Sequence, residues 1–273
     1  MTVEAIPVSP AWLDLRERAD AAARSRELVS RLRPRLPAGG GLVIHDLGCG
    51  SGAMGRWLAP LLPGPQHWVL HDGDAGLLTL AEACRAGPAA DGSAVTVDTR
   101  LSDVTRLGPD GLANATLITA SALLDLLTAD ELARLVHACA VAGCPVLLTL
   151  SVTGRVQWLS EDPLDSRLAA SFNAHQRRAT RRGRLLGPDA IEDAAERFRR
   201  LGAEVIVRPS PWRLGVADTG LAVEWLGGWV GAACEQEPEL AADAGPYRRR
   251  RLSEAGAGCL AVTVGHADLL VLP

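Results

Sequence analysis

Asp46, Gly48, Gly50 and Gly52 alternate in the run Leu42-Val43-Ile44-His45-Asp46-Leu47-Gly48-Cys49-Gly50-Ser51-Gly52. Residues without a Cβ permit a turn with φ > 0 and let backbone N–H groups come close to a ligand. The dinucleotide spacing G-x-G-x-x-G seats a pyrophosphate on a helix N-terminus. Here an acid precedes the first glycine; Asp46 would repel a pyrophosphate and suits a ligand carrying an ammonium group. A second acid, Asp72 in Asp72-Gly73-Asp74, comes about twenty residues after the turn, where one carboxylate can accept from both hydroxyls of a ribose. NAD-dependent proteins also place an acid there, and a structural glycine turn would satisfy the first pattern.

A sheet must hold these groups. Leu42–Leu47, apolar and bounded by glycines, reads as a buried parallel strand followed by a helix over 53–62. Residues 66–71 form a second strand, and Asp74 caps a helix over 75–85. Strands follow at 95–99, at 115–120 ending on Ser121, and at 144–152; Thr128 caps a helix from near Asp130 to near Gly143. This alternation predicts a doubly wound, mostly parallel α/β sheet with helices on both faces and right-handed crossovers. Ahead of it, 10–32 reads as one helix, with Arg16, Asp20 and Arg24 on one face, where a solvated ion-pair ladder is the simplest role. Beyond it come a helix over 188–201 and a sixth strand over 203–207. Helices over 220–234 and 239–252 follow. Residues 260–264 and 268–272 flank Gly265-His266 as a closing antiparallel strand or hairpin, with His266 a structural residue of the turn.

The Asp46–Gly52 pattern resembles motif I of the Rossmann-like S-adenosylmethionine (SAM) dependent methyltransferases. The run from Val69 to Leu78 is similar to their second motif. The resemblance implies a seven-stranded sheet with an antiparallel last strand and SAM as cofactor. Asp46, Gly48, Gly50, Gly52, Asp72 and Gly73 would hold it, and Ser102, Asp103 and Val104 would meet the adenine, though Asp103 in an ordinary loop turn remains an alternative. Ser121 falls at the loop where the family's acceptor meets the cofactor. In the family the helix before motif I often lies across the cleft, which would bring Arg16 or Arg24 to a carboxylate. The family's Asn-Pro-Pro-aromatic loop for amine substrates is absent after strand four, which argues against DNA or protein amides as acceptors. Asp125 in that loop is a candidate carboxylate facing the substrate, or a surface acid.

The second half is expected to receive the methyl group. Trp158, Trp212, Trp225 and Trp229 lie beyond Thr153 and suit either a core or a cleft for a ring-bearing acceptor. Leu164, Leu168, Phe172, His175 and Ala179 share one helical stripe, so His175 goes with the apolar face. It reads as a core histidine or as a general base that also binds substrate. The arginine runs around 177–184 and 248–251 read as solvated faces, or as contacts to an acceptor anion should they line the cleft.

A net charge of -4 and a pI near 5.9 argue against a surface built wholly for nucleic acid. All 28 basic residues are Arg. Six cysteines without a C-x-x-C pair fit reduced thiols and no metal site, and no apolar run approaches a membrane span. The expectation is a soluble, cytoplasmic protein. It would comprise a helical lid over 1–35 and a methyltransferase domain over 36–273, with acceptor-side helical segments at 153–187 and 210–256. The reaction expected is methyl transfer to a small molecule at oxygen, hydroxyl or carboxylate, in secondary metabolism. The alternatives are an RNA methyltransferase using the arginine runs, a non-catalytic SAM-binding module and an NAD-dependent enzyme.

Overall fold

The computed structural model describes residues 8–37, 39–84 and 86–273. Two helices open it, α1 Pro10–Ala23 and α2 Arg26–Leu32. The one long helix expected over 10–32 is broken. Arg24 leaves helical geometry at ψ 136°, and Ser25 starts again as an N-cap whose side chain accepts from Leu28 N–H. The break is held from outside: the Ser25 N–H donates to the buried carboxylate of Asp268 at 2.7 Å.

The alternating core follows as β1 Leu42–Leu47, α3 Ala53–Leu58, β2 Gln66–Asp72, α4 Ala75–Ala83, β3 Val95–Leu101, β4 Leu117–Ser121, α5 Ala129–Ala142 and β5 Val146–Trp158. The described part of α4 stops at Ala83, and Arg85, the last residue expected in that helix, lies outside the described residues. Thr128 closes a full capping box with Glu131 at the start of α5, and Gly143 at φ 63° ends it. The second half contributes α6 Asp165–Gln176, a small hairpin of β6 Ala179–Thr180 and β7 Gly183–Arg184, α7 Ala190–Arg200, β8 Glu204–Pro209, β9 Trp212–Leu214, α8 Thr219–Gln236, α9 Ala241–Gly256 and β10 Val262–Leu272. Ala179 therefore leaves the helical stripe and enters the hairpin.

Strands order as β3-β2-β1-β4-β5-β10-β8, with β9 also paired to β10. β1 to β5 are parallel, and β10 runs antiparallel to β5, β8 and β9. The expected seven-stranded path with its antiparallel last strand is present, and β9 is an eighth strand the sequence reading lacked. The late turn at Gly265-His266 is not a hairpin. β10 passes straight through it, with register shifts at Val264/His266 and Ala267/Leu269. Opposite, β5 absorbs the mismatch with Gly154 at φ 72°.

β5 and β10 organise the molecule, since both are about twice the ordinary strand length. Their sheet halves separate two cores. One packs α5 and α7 on the sheet through Leu132, Val136, Ile191 and Phe198. The other packs α2, α3 and α4 through Leu28, Leu58, Trp68 and Leu78. Their protruding halves, with Trp158, Val262 and Val264, enter a third core made by α1, α6, α8 and α9. Of the helical lid expected over 1–35, residues 1–7 lie outside the described residues, and α1 packs on β9 and α8.

Candidate active site

A cavity of about 1030 Å³ lies where the ends of β1 to β4 meet the protruding halves of β5 and β10, roofed by α1, α6 and α8. Its first wall is the glycine turn. Gly48, Gly50 and Gly52 have φ of 64°, 54° and 83°. A Cβ at Gly48 would stand 3.2 Å from the Leu123 side chain, and one at Gly50 3.2 Å from that of Leu13 on α1. Gly52 serves differently: it caps α3 and faces Ala81 and Arg56, away from the cavity. Asp72 ties the turn to β2, accepting from Gly50 N–H through one oxygen and from Asp74 N–H through the other, both at 2.9 Å. Each oxygen keeps a second lone pair for a hydroxyl, and Asp72 and Gly73 both line the cavity.

Beside the turn sit two buried charges with unused atoms. Asp46 is 1% exposed. Its Oδ1 accepts from the Thr119 hydroxyl at 2.7 Å, while Oδ2 has no partner. Burial pushes its pKa up to about 7, against the Thr119 hydrogen bond and the attraction of Arg24. Arg24, 4% exposed, donates only to Ser121 Oγ at 3.1 Å, and its Nε and Nη1 are orphaned. Burial lowers its pKa, opposed first by the charge of Asp20. Buried polar atoms are nearly always satisfied, so a carboxylate oxygen and two guanidinium nitrogens left open in one cavity mark a site for a ligand bearing both charges.

At the far end of the sheet, Ser102, Asp103 and Val104 line the cavity after β3. Ser102 Oγ is 3.1 Å from Nδ1 of the buried His71, whose Nε2 is 3.0 Å from His45 Nδ1. Burial drives both imidazoles down to about 4, so the pair is neutral near pH 7. Asp103 accepts from the N–H and hydroxyl of Thr105 and caps a short turn. It performs the loop role and borders the cavity at once.

The wall on the helical side is aromatic. Trp212, Trp225 and Phe172 line it with Val156 and Val264. The Trp212 N–H donates to Asp20 at 2.9 Å; Asp20 also holds Arg16, whose guanidinium lies 5.0 Å from the Trp212 ring centre. Arg16 therefore lines the cavity already paired. Asp125 lines it too, and burial raises its pKa against the pull of Arg16 and Arg178. The neighbouring Ala122 has φ 51°, a conformation L-residues adopt at a cost.

Two expected residues lie elsewhere. His175 is not with the apolar face or the cavity; its Nε2 meets Glu235 at 3.1 Å on the outer side of α6 and α8. The α6 stripe turns Leu168 and Phe172 inward, and His175 falls at the helix's last turn, where the packing has ended. Trp158 is in the third core, with the Arg251 guanidinium 4.4 Å from its ring centre and Trp229 behind it. Arg251, 1% exposed, is itself buried, with Asp165, Glu254 and the Ser160 carbonyl as partners. Of the other run, Arg177 pairs with Asp189 and Arg182 with Glu131; Arg182 reaches the cavity rim.

Sequence reasoning missed Leu13, Thr119, Asp268 and the inward position of His266. Thr119 faces Asp46 only through the β1–β4 register. Asp268, fully buried, accepts from Ser25 N–H, Leu150 N–H and the Ser210 hydroxyl, and so fixes the chain next to Arg24. A lone acid heading the run Leu269-Leu270-Val271-Leu272 was its one available signal.

No family model and no curated protein matches the chain. Among solved structures, a cyclopropane synthase from Mycobacterium tuberculosis is similar at 13% identity over 96% of this chain and 94% of that one, with a TM-score of 0.50. A SAM-dependent methyltransferase from Geobacter sulfurreducens in complex with S-adenosyl-L-homocysteine is similar at 14% identity over 97% and 98%, with a TM-score of 0.45. Strand order, the antiparallel β10 and the first of these likenesses define the class: the chain has the Rossmann-like methyltransferase fold. At such identities the likeness is one of fold, and the chemistry rests on the cavity.

Proposed function

We propose that the protein is a SAM-dependent methyltransferase that alkylates a small, ring-bearing acceptor, at oxygen, in secondary metabolism. The observation that carries this is the pair of buried, orphaned charges, Oδ2 of Asp46 and Nε/Nη1 of Arg24. An amino-acid end supplies the missing partners of both, an ammonium for Asp46 and a carboxylate for Arg24, with Ser121 beside the latter. A pyrophosphate would supply neither to Asp46. In this reading Gly48, Gly50 and Gly73 give the cofactor close backbone approach, and Asp72 holds the ribose. Ser102, Asp103 and Val104 border the adenine. Arg16 braces Asp20 and Trp212 at the junction with the acceptor.

When bound, SAM supplies a methyl group already activated by its sulfonium. What the chain adds is alignment and exclusion of water. Trp212, Trp225 and Phe172 offer flat apolar surface to the acceptor. A hydroxyl acceptor must lose a proton, and Asp125 is the carboxylate lining the cavity that can take it; a carboxylate acceptor needs no base. Pairing of Arg177 and Arg182 with acids favours a small acceptor over RNA. Among the described residues no helix is long and apolar enough to cross a membrane, and no His, Cys, Asp and Glu cluster suits a metal. The cytoplasmic setting expected from the scattered cysteines belongs to the same reading.

The test is Arg24→Met in calorimetric titration with S-adenosylhomocysteine. Loss of a buried charge-assisted contact should weaken binding by about 2–3 kcal/mol. Unchanged affinity would remove the amino-acid end from this place.

A further inference from the structure

The cavity holds a histidine that none of the preceding roles uses. His266 is 5% exposed and lines the acceptor side. Its Nδ1 lies 3.1 Å from the Val264 carbonyl oxygen. A carbonyl only accepts, so Nδ1 carries the proton and Nε2 keeps its lone pair. Among the described residues no group donates to that nitrogen. The ring is tilted against Trp212 with centres 5.0 Å apart, on the aromatic wall that also includes Trp225.

The charged groups facing it are Arg16 and Asp20 of α1, which are paired to each other, with Asp125 on the same cavity. Burial, reinforced by Arg16, holds the imidazole down to about 3. It is therefore neutral at physiological pH, and accepting is what Nε2 can do there. Val264 and His266, two apart on β10, share one face of the strand and both line the cavity, while β5 opposite takes up the register shift between them.

We propose that His266 is a specificity-determining residue. Its Nε2 accepts a hydrogen bond from a hydroxyl or ring N–H of an acceptor whose ring lies against Trp212 and Trp225. This rests on the methyl-transfer reading for the word acceptor, but the site itself is a donor-selective aromatic subsite. An acceptor without a donor at that point would leave Nε2 buried and unpaired, which costs affinity. Aromatic molecules with a polar hydrogen are thus admitted over their N- or O-alkylated forms.

Indole and 1-methylindole form a direct pair of probes, because the indole N–H donates and cannot accept. Calorimetry on the wild-type protein should show indole binding about tenfold tighter than 1-methylindole, the value of one hydrogen bond. His266→Phe keeps the ring and should bind both alike, with S-adenosylhomocysteine binding unchanged. In the wild-type protein the ¹⁵N resonance of the His266 Nε2 should shift on adding indole and stay in place with 1-methylindole, a readout independent of how the variant folds. Equal affinities in the wild type, binding of neither probe, an unmoved Nε2 resonance, or a preference that survives in His266→Phe would each overturn the assignment. Selectivity for indole without any S-adenosylhomocysteine binding would sink the methyltransferase reading and leave the His266 subsite standing.

Discussion

The two ends of the cavity are built from different materials. At the sheet end the walls are backbone and acids: a turn of positive-φ glycines, Asp72 accepting two N–H groups, and Asp46 set by Thr119 on the next strand. At the helical end they are side chains, with Trp212 from β9, Trp225 from α8 and Phe172 from α6 brought together by the long halves of β5 and β10. Backbone geometry is costly to alter and suits a ligand that never changes. A wall of side chains on separate helices can be recast one residue at a time while the strands beneath stay fixed. In the proposed reading the invariant donor belongs to the first end and the particular acceptor to the second.

If that division is real, substitutions should divide the same way. The largest effect is expected from Asp72→Ala, which removes the carboxylate proposed to hold the ribose and also frees Gly50 N–H. S-adenosylhomocysteine affinity should fall by about 3 kcal/mol, while indole binding at the other end is unchanged. Asp125→Asn should do the reverse, lowering turnover of a hydroxyl acceptor by about 10²-fold with cofactor affinity intact. The pH dependence has a definite sign. Burial raises the Asp125 pKa; below it the carboxyl is protonated and cannot accept a proton. The wild-type rate should therefore rise with pH through a carboxyl pKa above the ordinary range, and the variant should lose that limb. The smallest effect is expected from Glu17→Gln. Glu17 on α1 pairs with Arg56 on α3 through two contacts of 2.8 and 2.6 Å, both side chains being partly exposed. Thermal unfolding should register about 1 kcal/mol or less. A much larger loss would show that α1 is held over the turn by this pair and not by its packing on β9 and α8.

The same contrast explains what could be read from the chain. Asp46, the glycines and Asp72 announce themselves because turn chemistry is local: residue type and spacing already state the backbone conformation. The alternation of strands and helices was legible for the same reason, whereas the antiparallel last strand was implied only by the resemblance. His175 misled because a helical stripe shows which residues share a face but not where the neighbouring element stops. Trp158 and Trp212 are equivalent as sequence, yet one stacks under Arg251 in a core and the other borders the cavity. Their difference depends on contacts spanning tens of residues. His266 was hidden by two strand segments that resemble a hairpin; β10 is continuous through it, and His266 shares the cavity face with Val264. The break at Arg24 had no local cause of sufficient strength; Ser25 can cap, but Asp268, more than two hundred positions away, holds it.

The central claim is that this turn binds an amino-acid-bearing cofactor. Separate calorimetric titrations of the wild-type protein with SAM and NAD, at pH 7 in buffers of different ionisation enthalpy, test it most directly. Burial raises the pKa of the Asp46 carboxyl in the free protein, and an ammonium beside it favours the carboxylate, so binding should release protons from this group. The account predicts saturable SAM binding with that release and no comparable NAD binding. NAD binding without SAM binding would contradict it.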